Sequence, residues 1–192
     1  MTDKRMMIEV FINEIKHQCE FAFIALNLLQ QGLQQGVKGN SLVWFSMHSF
    51  FSATGNLSKI FWSTMTKEQE ANSEIKEQFL FRAKTLRKLF NISDDSPINE
   101  RKLGNYIEHF DSGIQEWAMK STRHNFSDCN IGFSGNISGI NAIDSLRNFD
   151  PENQMLIFAG DELQLRPLID FLDVILEKSK TLDSRPWWEL EC

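Results

Sequence analysis

The chain has 192 residues, 42% of them apolar and 24% charged, with a formal net charge of −6. These are the proportions of an ordinary globular domain long enough to bury its own core. The acidic balance argues against a surface coated in basic residues for nucleic acid and leaves room only for a local basic patch.

Residues 5–35 carry Met7, Phe11, Ile15, Ala22, Leu26 and Leu29 at helical spacing and predict one long helix. Gly32, Gly36 and Gly39 follow as its C-terminal breakers, and Ser41 reads as the N-cap of a second helix over 42–63. That helix is apolar on much of its circumference, so it is expected at the centre, with His48 as a core histidine and Ser46, Ser49 and Ser52 allowing close helix approach. Thr66 and Gln69 form a capping box opening a third helix over 67–91. Ser96 as N-cap and Pro97 at the first helical position open a fourth, running to about 121. The texture then turns β-prone between 125 and 160, with Asp150-Pro151-Glu152-Asn153 as a hairpin turn between apolar runs. Leu168, Phe171, Leu172 and Ile175 predict a last helix over 167–180, and the tail follows.

The expected fold is therefore mainly α: a single-domain helical bundle over 1–182, with a small β-hairpin element near 125–160 and a tail over 183–192. With 16 Phe, 5 Trp and 1 Tyr, its core should be rich in Phe and Leu. No apolar run approaches the roughly 20 residues needed to cross a bilayer, so no membrane association is expected. The charged start and three scattered cysteines (Cys19, Cys129, Cys192) predict free thiols in a reducing cytoplasm.

The fourth helix carries the chemistry. Each residue advances about 100° around a helix axis. Leu103, Ile107, Phe110, Ile114, Trp117 and Ala118 then form one apolar stripe, and Arg101, Asn105, Glu108, His109, Ser112 and Glu116 fall opposite it. Arg101, Asn105 and His109 are one turn apart along a row, so a guanidinium, an amide and an imidazole are neighbours, beside the Glu108 carboxylate. Those are parts for proton transfer and anion binding. A solvated helix face shows the same polar row. Lys120, Arg123 and His124 follow as RNA-binding candidates, although positive charge at a helix C-terminus is also favoured by the macrodipole.

Leu103 and the run Asn105-Tyr-Ile-Glu-His109-Phe-Asp111 resemble the central motif of the HEPN superfamily, closely over 98–120. The resemblance implies an all-α bundle that pairs as a homodimer. Its arginine and histidine would form a composite, metal-independent endoribonuclease site needing no cofactor. It makes His109 the acid/base and Asn105 an orienting contact, with Arg101 and Glu108 completing the site. The arginine that the family places directly before the asparagine is Gly104 here, and Arg101 lies farther from His109. The implied function is RNA cleavage, or RNA binding by a weakened or inactivated copy of that site, in a bacterial defence or toxin–antitoxin role. RNA and an antitoxin or other protein are the further expected partners. The alternatives are a non-catalytic helical interaction module regulating a partner protein and a nucleotide-binding protein without nuclease activity. No metal site is expected: His17 and Cys19 lack paired ligands, and the glycines of 132–139 lack the lysine of a phosphate-binding loop.

Overall fold

The computed structural model describes residues 4–99, 110–120, 127–133, 144–158, 160–185 and 189. Its helices are α1 (Lys4–Gln34), α2 (Asn40–Trp62), α3 (Lys67–Ala71), α4 (Ser73–Phe90), α5 (Phe110–Lys120) and α6 (Arg166–Asp183). Its strands are β1 (Asn130–Ile131), β2 (Arg147–Asp150), β3 (Met155–Phe158) and β4 (Asp161–Gln164). The fold is mainly helical with a small four-stranded sheet, in the order β1-β2-β3-β4.

The long first helix is as its periodicity predicts. Ile8, Ile12, Ile15, Cys19, Ala22, Ala25 and Leu29 recur every three or four residues and are buried against α2 and α6. The α2 helix is central, with Val43, Met47, Phe50, Leu57 and Phe61 almost wholly enclosed. Each such side chain contributes about 1.5–3 kcal/mol on burial. Where α1 meets α2, Gln18 accepts from Asn56 Nδ2 at 3.2 Å and donates to Glu14 at 2.6 Å, so its buried amide is satisfied.

Several boundaries differ from expectation. Gly32 lies inside α1, and of the three glycines only Gly36, at φ +59°, uses the left-handed region. Gly39 and not Ser41 precedes α2, without a side-chain cap; Ser41 sits in the first turn. Close approach is the reason: a Cβ on Gly39 would lie 1.9 Å from the Gly32 carbonyl oxygen, so the end of α1 presses on the start of α2. The capping box at Thr66 forms as predicted, with reciprocal bonds to Gln69. The helix it opens nevertheless breaks after one turn, because extended Asn72 uses its Oδ1 to cap α4 through the N–H groups of Glu74 and Ile75. Ser96 and Pro97 begin a 3-10 turn over Pro97–Asn99, with the Ser96 carbonyl accepting from Asn99 N at 2.9 Å. The predicted helix beyond it is described only from Phe110 onward.

The hairpin turn is as expected. Asp150 Oδ1 accepts from the N–H groups of Glu152 and Asn153, Oδ2 accepts from Asn153 Nδ2, and Gln154 takes φ +50°. The sheet is larger than the hairpin. β1 joins β2 in parallel, and β4 returns antiparallel to β3 through Gly160 at φ +92°. β4 is missed by the sequence pattern because Asp-Glu-Leu-Gln is an edge strand that buries only Leu163. The register aligns Ile131, Phe149, Leu156 and Leu163 across all four strands. Phe149, Leu156 and Leu163 then join one hydrophobic cluster with α1, α2, α4 and α6, and Ile131 packs against it. The sheet is thus one wall of the helical core.

Candidate functional site

The described half of the motif helix, α5, follows the predicted division. Trp117 is buried and Ile114 and Ala118 are half-buried, whereas Asp111, Gln115, Glu116 and Lys120 are exposed. Gly113 has a packing reason, since a Cβ there would meet the Phe158 ring of β3 at 3.2 Å. Lys120 ends the helix, and its Nζ lies 3.3 Å from Glu116 Oε2 one turn earlier. This exposed pair contributes a few tenths of a kcal/mol at most, so the lysine can exchange its partner for a phosphate at little cost. Arg101, Gly104, Asn105, Glu108 and His109, with Arg123 and His124, lie outside the described residues, so of the predicted site only Lys120 has a described position.

A second polar constellation lies where the sheet meets α2, and no motif spacing announces it. Arg147 on β2 holds Asp128 in a two-pronged bond, Nε to Oδ1 at 2.8 Å and Nη2 to Oδ2 at 2.5 Å. The guanidinium also lies over the Trp44 ring of α2, 5.7 Å from its centroid. Asp128 Oδ1 accepts the Cys129 N–H, and Asn40 Nδ2 donates to the Cys129 carbonyl at 3.1 Å, which holds Cys129 in the left-handed region at φ +56°. Arg147 and Asp128 are nineteen residues apart and each stands in an unremarkable stretch. Only the parallel pairing of 127–131 with 145–149 brings them together.

An open cleft of about 320 Å³ lies beside this junction, lined by Leu33, Val37, Asn40, Cys129, Asn130 and Ile131. Its chemistry is not nucleophilic. Burial, followed by the Asp128 charge, pushes the Cys129 thiol above its ordinary value, so it is protonated at neutral pH. The Asp128 carboxylate is occupied by Arg147 and a backbone N–H and serves as a strut, not a base.

Burial pushes the Asp128 carboxyl up, but the Arg147 hydrogen bond and charge, with the Cys129 N–H, outweigh it and hold it below its ordinary value. A depressed folded pKa means stabilisation that is complete above the ordinary carboxylate pKa, near ~4, and is lost as pH falls through the folded value. Asp128→Asn should therefore be less stable than the native chain at pH 7, with the gap closing as the pH falls below about 4. Urea midpoints across that range measure it; a gap that persists unchanged at low pH removes the ion pair as its cause.

Of the weaker candidates, His17 stacks on Phe21 at 6.2 Å between ring centroids, and Cys19 is buried, its thiol pushed up to about 12 by burial and by Glu20. Cys19 and Cys129 are free thiols. Among the described residues no cluster of His, Cys, Asp or Glu has metal-binding geometry, and no helix is long and apolar enough to cross a membrane. His48 is exposed and not a core histidine: with Phe45 it lies on the open side of α2, which the apolar count of that helix disguised. No family model, curated protein or solved structure matches this chain.

Proposed function

We propose that the chain is an RNA-binding protein of HEPN type, acting as a homodimer in bacterial defence or a toxin–antitoxin pair, whose cleavage chemistry is weakened by Gly104. The observation that carries the reading is the continuity of the motif with α5. Asn105 to His109 lead directly into a helix that buries Trp117 and keeps Glu116, seven residues after His109 and so on its row, in solvent.

RNA supplies its own nucleophile. The 2'-hydroxyl oxygen attacks the adjacent phosphorus as His109 takes its proton. The bond from phosphorus to the 5'-oxygen breaks, and that oxygen is protonated, giving a cyclic phosphate and a 5'-hydroxyl. The charge gathering on phosphorus needs a guanidinium. Arg101 is a long side chain on the row of Asn105, but the position next to Asn105 has none.

The test is labelled RNA incubated in EDTA. Gly104→Arg should raise cleavage on the order of 100-fold, the scale of one charge-stabilising donor. Adding His109→Ala should return it to the starting level. A stably folded Gly104→Arg protein that cleaves no faster sinks the nuclease reading.

The homodimer of this reading has a candidate contact face. Met6, Val10, Phe21 and Ile24 are each more than half exposed and fall on one face of α1 with His17 between them. They form two exposed apolar pairs, Met6 with Val10 and Phe21 with Ile24, separated along that face by Asn13, Glu14 and His17. A second copy of the chain is the occupant that the HEPN resemblance implies. Phe21→Glu with Ile24→Glu should convert a dimer to a monomer in light scattering. A native chain already monomeric at high micromolar concentration would count against that use of the face.

A further inference from the structure

The C-terminal ends of α4 and α6 converge on a cavity of about 330 Å³. Three cations line it: Lys88 from the last turn of α4, Lys178 from α6 and Arg185 just beyond it. None of the three has a carboxylate partner among the described residues, in contrast to Lys4, Lys16, Arg87, Lys120, Arg147, Arg166 and Lys180, each of which has one. Lys84, one turn before Lys88 on the same helix row, is exposed and adds a fourth charge near the rim. The apolar wall is Leu89 and Leu182, and among the described residues the one acidic lining residue is Glu189.

Over the described lining residues the local charge stays positive. Helix C-termini carry roughly half a negative charge each, and two of them end here. Together with Glu189 they offset about two of the three lining cations, so a net positive charge remains in a chain whose overall balance is negative. Macrodipole complementarity accounts for one cation per helix end and leaves the third unexplained. An arginine fork and two ammonium groups converging on a concavity is an arrangement for a terminal phosphate.

We propose that this cavity binds a phosphate monoester carried on a sugar. Lys88, Lys178 and Arg185 take the phosphate, Glu189 accepts from sugar hydroxyls, and Leu89 with Leu182 pack against the C–H face of the ring. The volume is that of a small-molecule site. None of the described lining residues belongs to the Asn105–His109 motif, and the test needs no cleavage activity.

Calorimetric titration of the full chain at low salt with ribose 5-phosphate, and with ribose as the control, tests it. Ribose 5-phosphate should bind and ribose should not, with affinity falling as salt rises. Lys88→Gln, Lys178→Gln and Arg185→Gln replace exposed or half-buried side chains that have no ion-pair partner among the described residues, and leave folding intact. Each should weaken binding about tenfold, and the triple variant should abolish it. A 5'-phosphorylated oligoribonucleotide compared with its 5'-hydroxyl form distinguishes the source: selective binding of the former places the same phosphoribosyl group at the end of an RNA. Failure of both phosphorylated probes to bind, or binding that the triple variant retains, overturns the proposal.

Discussion

Gly39→Ala should destabilise the fold by about 4 kcal/mol or more, at the extreme of single-substitution effects. The methyl group would lie 1.9 Å from the Gly32 carbonyl oxygen, 2.7 Å from its carbonyl carbon and 2.9 Å from its Cα. All three are backbone atoms, so no rotamer change relieves the overlap; the end of α1 and the start of α2, the most extensively packed pair of elements, must separate. Gly39 has φ −86°, a value open to any residue, so the requirement is for space and not for conformational freedom. Gly36→Ala is the matched control. It forces an L-residue to φ +59° with nothing within 4 Å of its Cβ, and should cost only about 1–2 kcal/mol. At roughly 2–4 °C per kcal/mol for a chain of this size, Gly39→Ala should melt on the order of 10 °C below the native chain. Equal losses for the two variants would remove the helix contact as the cause.

The next largest expected effect is at Arg82. The residue is 9% exposed, with its guanidinium between the rings of Phe11 at 4.6 Å and Phe79 at 4.8 Å. Nη2 donates to Ser63 Oγ at 2.8 Å and, at 3.4 Å, to the Lys59 carbonyl, the acceptor already used by Ser63 N. Ser63 is the left-handed cap of α2, and its hydroxyl donates to the Phe79 carbonyl on α4. Arg82 thus joins α1, α2 and α4 and places a positive charge at the negative end of α2. Burial alone holds its pKa below the ordinary value, as expected of a cation whose counter-charge is a helix end and two ring faces.

Arg82→Ala removes the ring contacts and the bonds at the cap and leaves a cavity, at a cost of about 3 kcal/mol. Arg82→Met keeps the unbranched stem and the filling of the space between the rings, so it should recover about half of that loss. Chemical denaturation of the three proteins orders them. Arg82→Met no better than Arg82→Ala would show that the charge, and not the packing, carries the effect.

The motif that suggests chemistry and the contacts that build this fold belong to different parts of the chain. The polar row of Arg101, Asn105, Glu108 and His109 is a sequence expectation, drawn from helix spacing, and lies outside the described residues. Its described continuation in α5 keeps that division, and Gly113 has a neighbour in Phe158 that accounts for the missing side chain. Gly104 lies outside the described residues, and restoring an arginine there is the informative substitution because the resemblance expects one at that position. Lys120, read as a phosphate contact from its place at the end of the motif helix, has an acidic partner one turn away.

What the sequence determined by itself is local: the long helices α1, α2 and α6, the capping box at Thr66, the Asp150 turn and the mainly helical class. Each rests on interactions spanning about five residues or fewer, so the pattern is readable without knowing the fold. Tertiary structure decided the rest. The edge strand β4 with its single buried leucine, the exposure of His48, the Gly32–Gly39 contact, the Asp128–Arg147 strut and the convergence of Lys88, Lys178 and Arg185 all depend on segments distant in sequence. No local propensity encodes them, because the free energy that favours them comes from surfaces that exist only after the helices and the sheet have met.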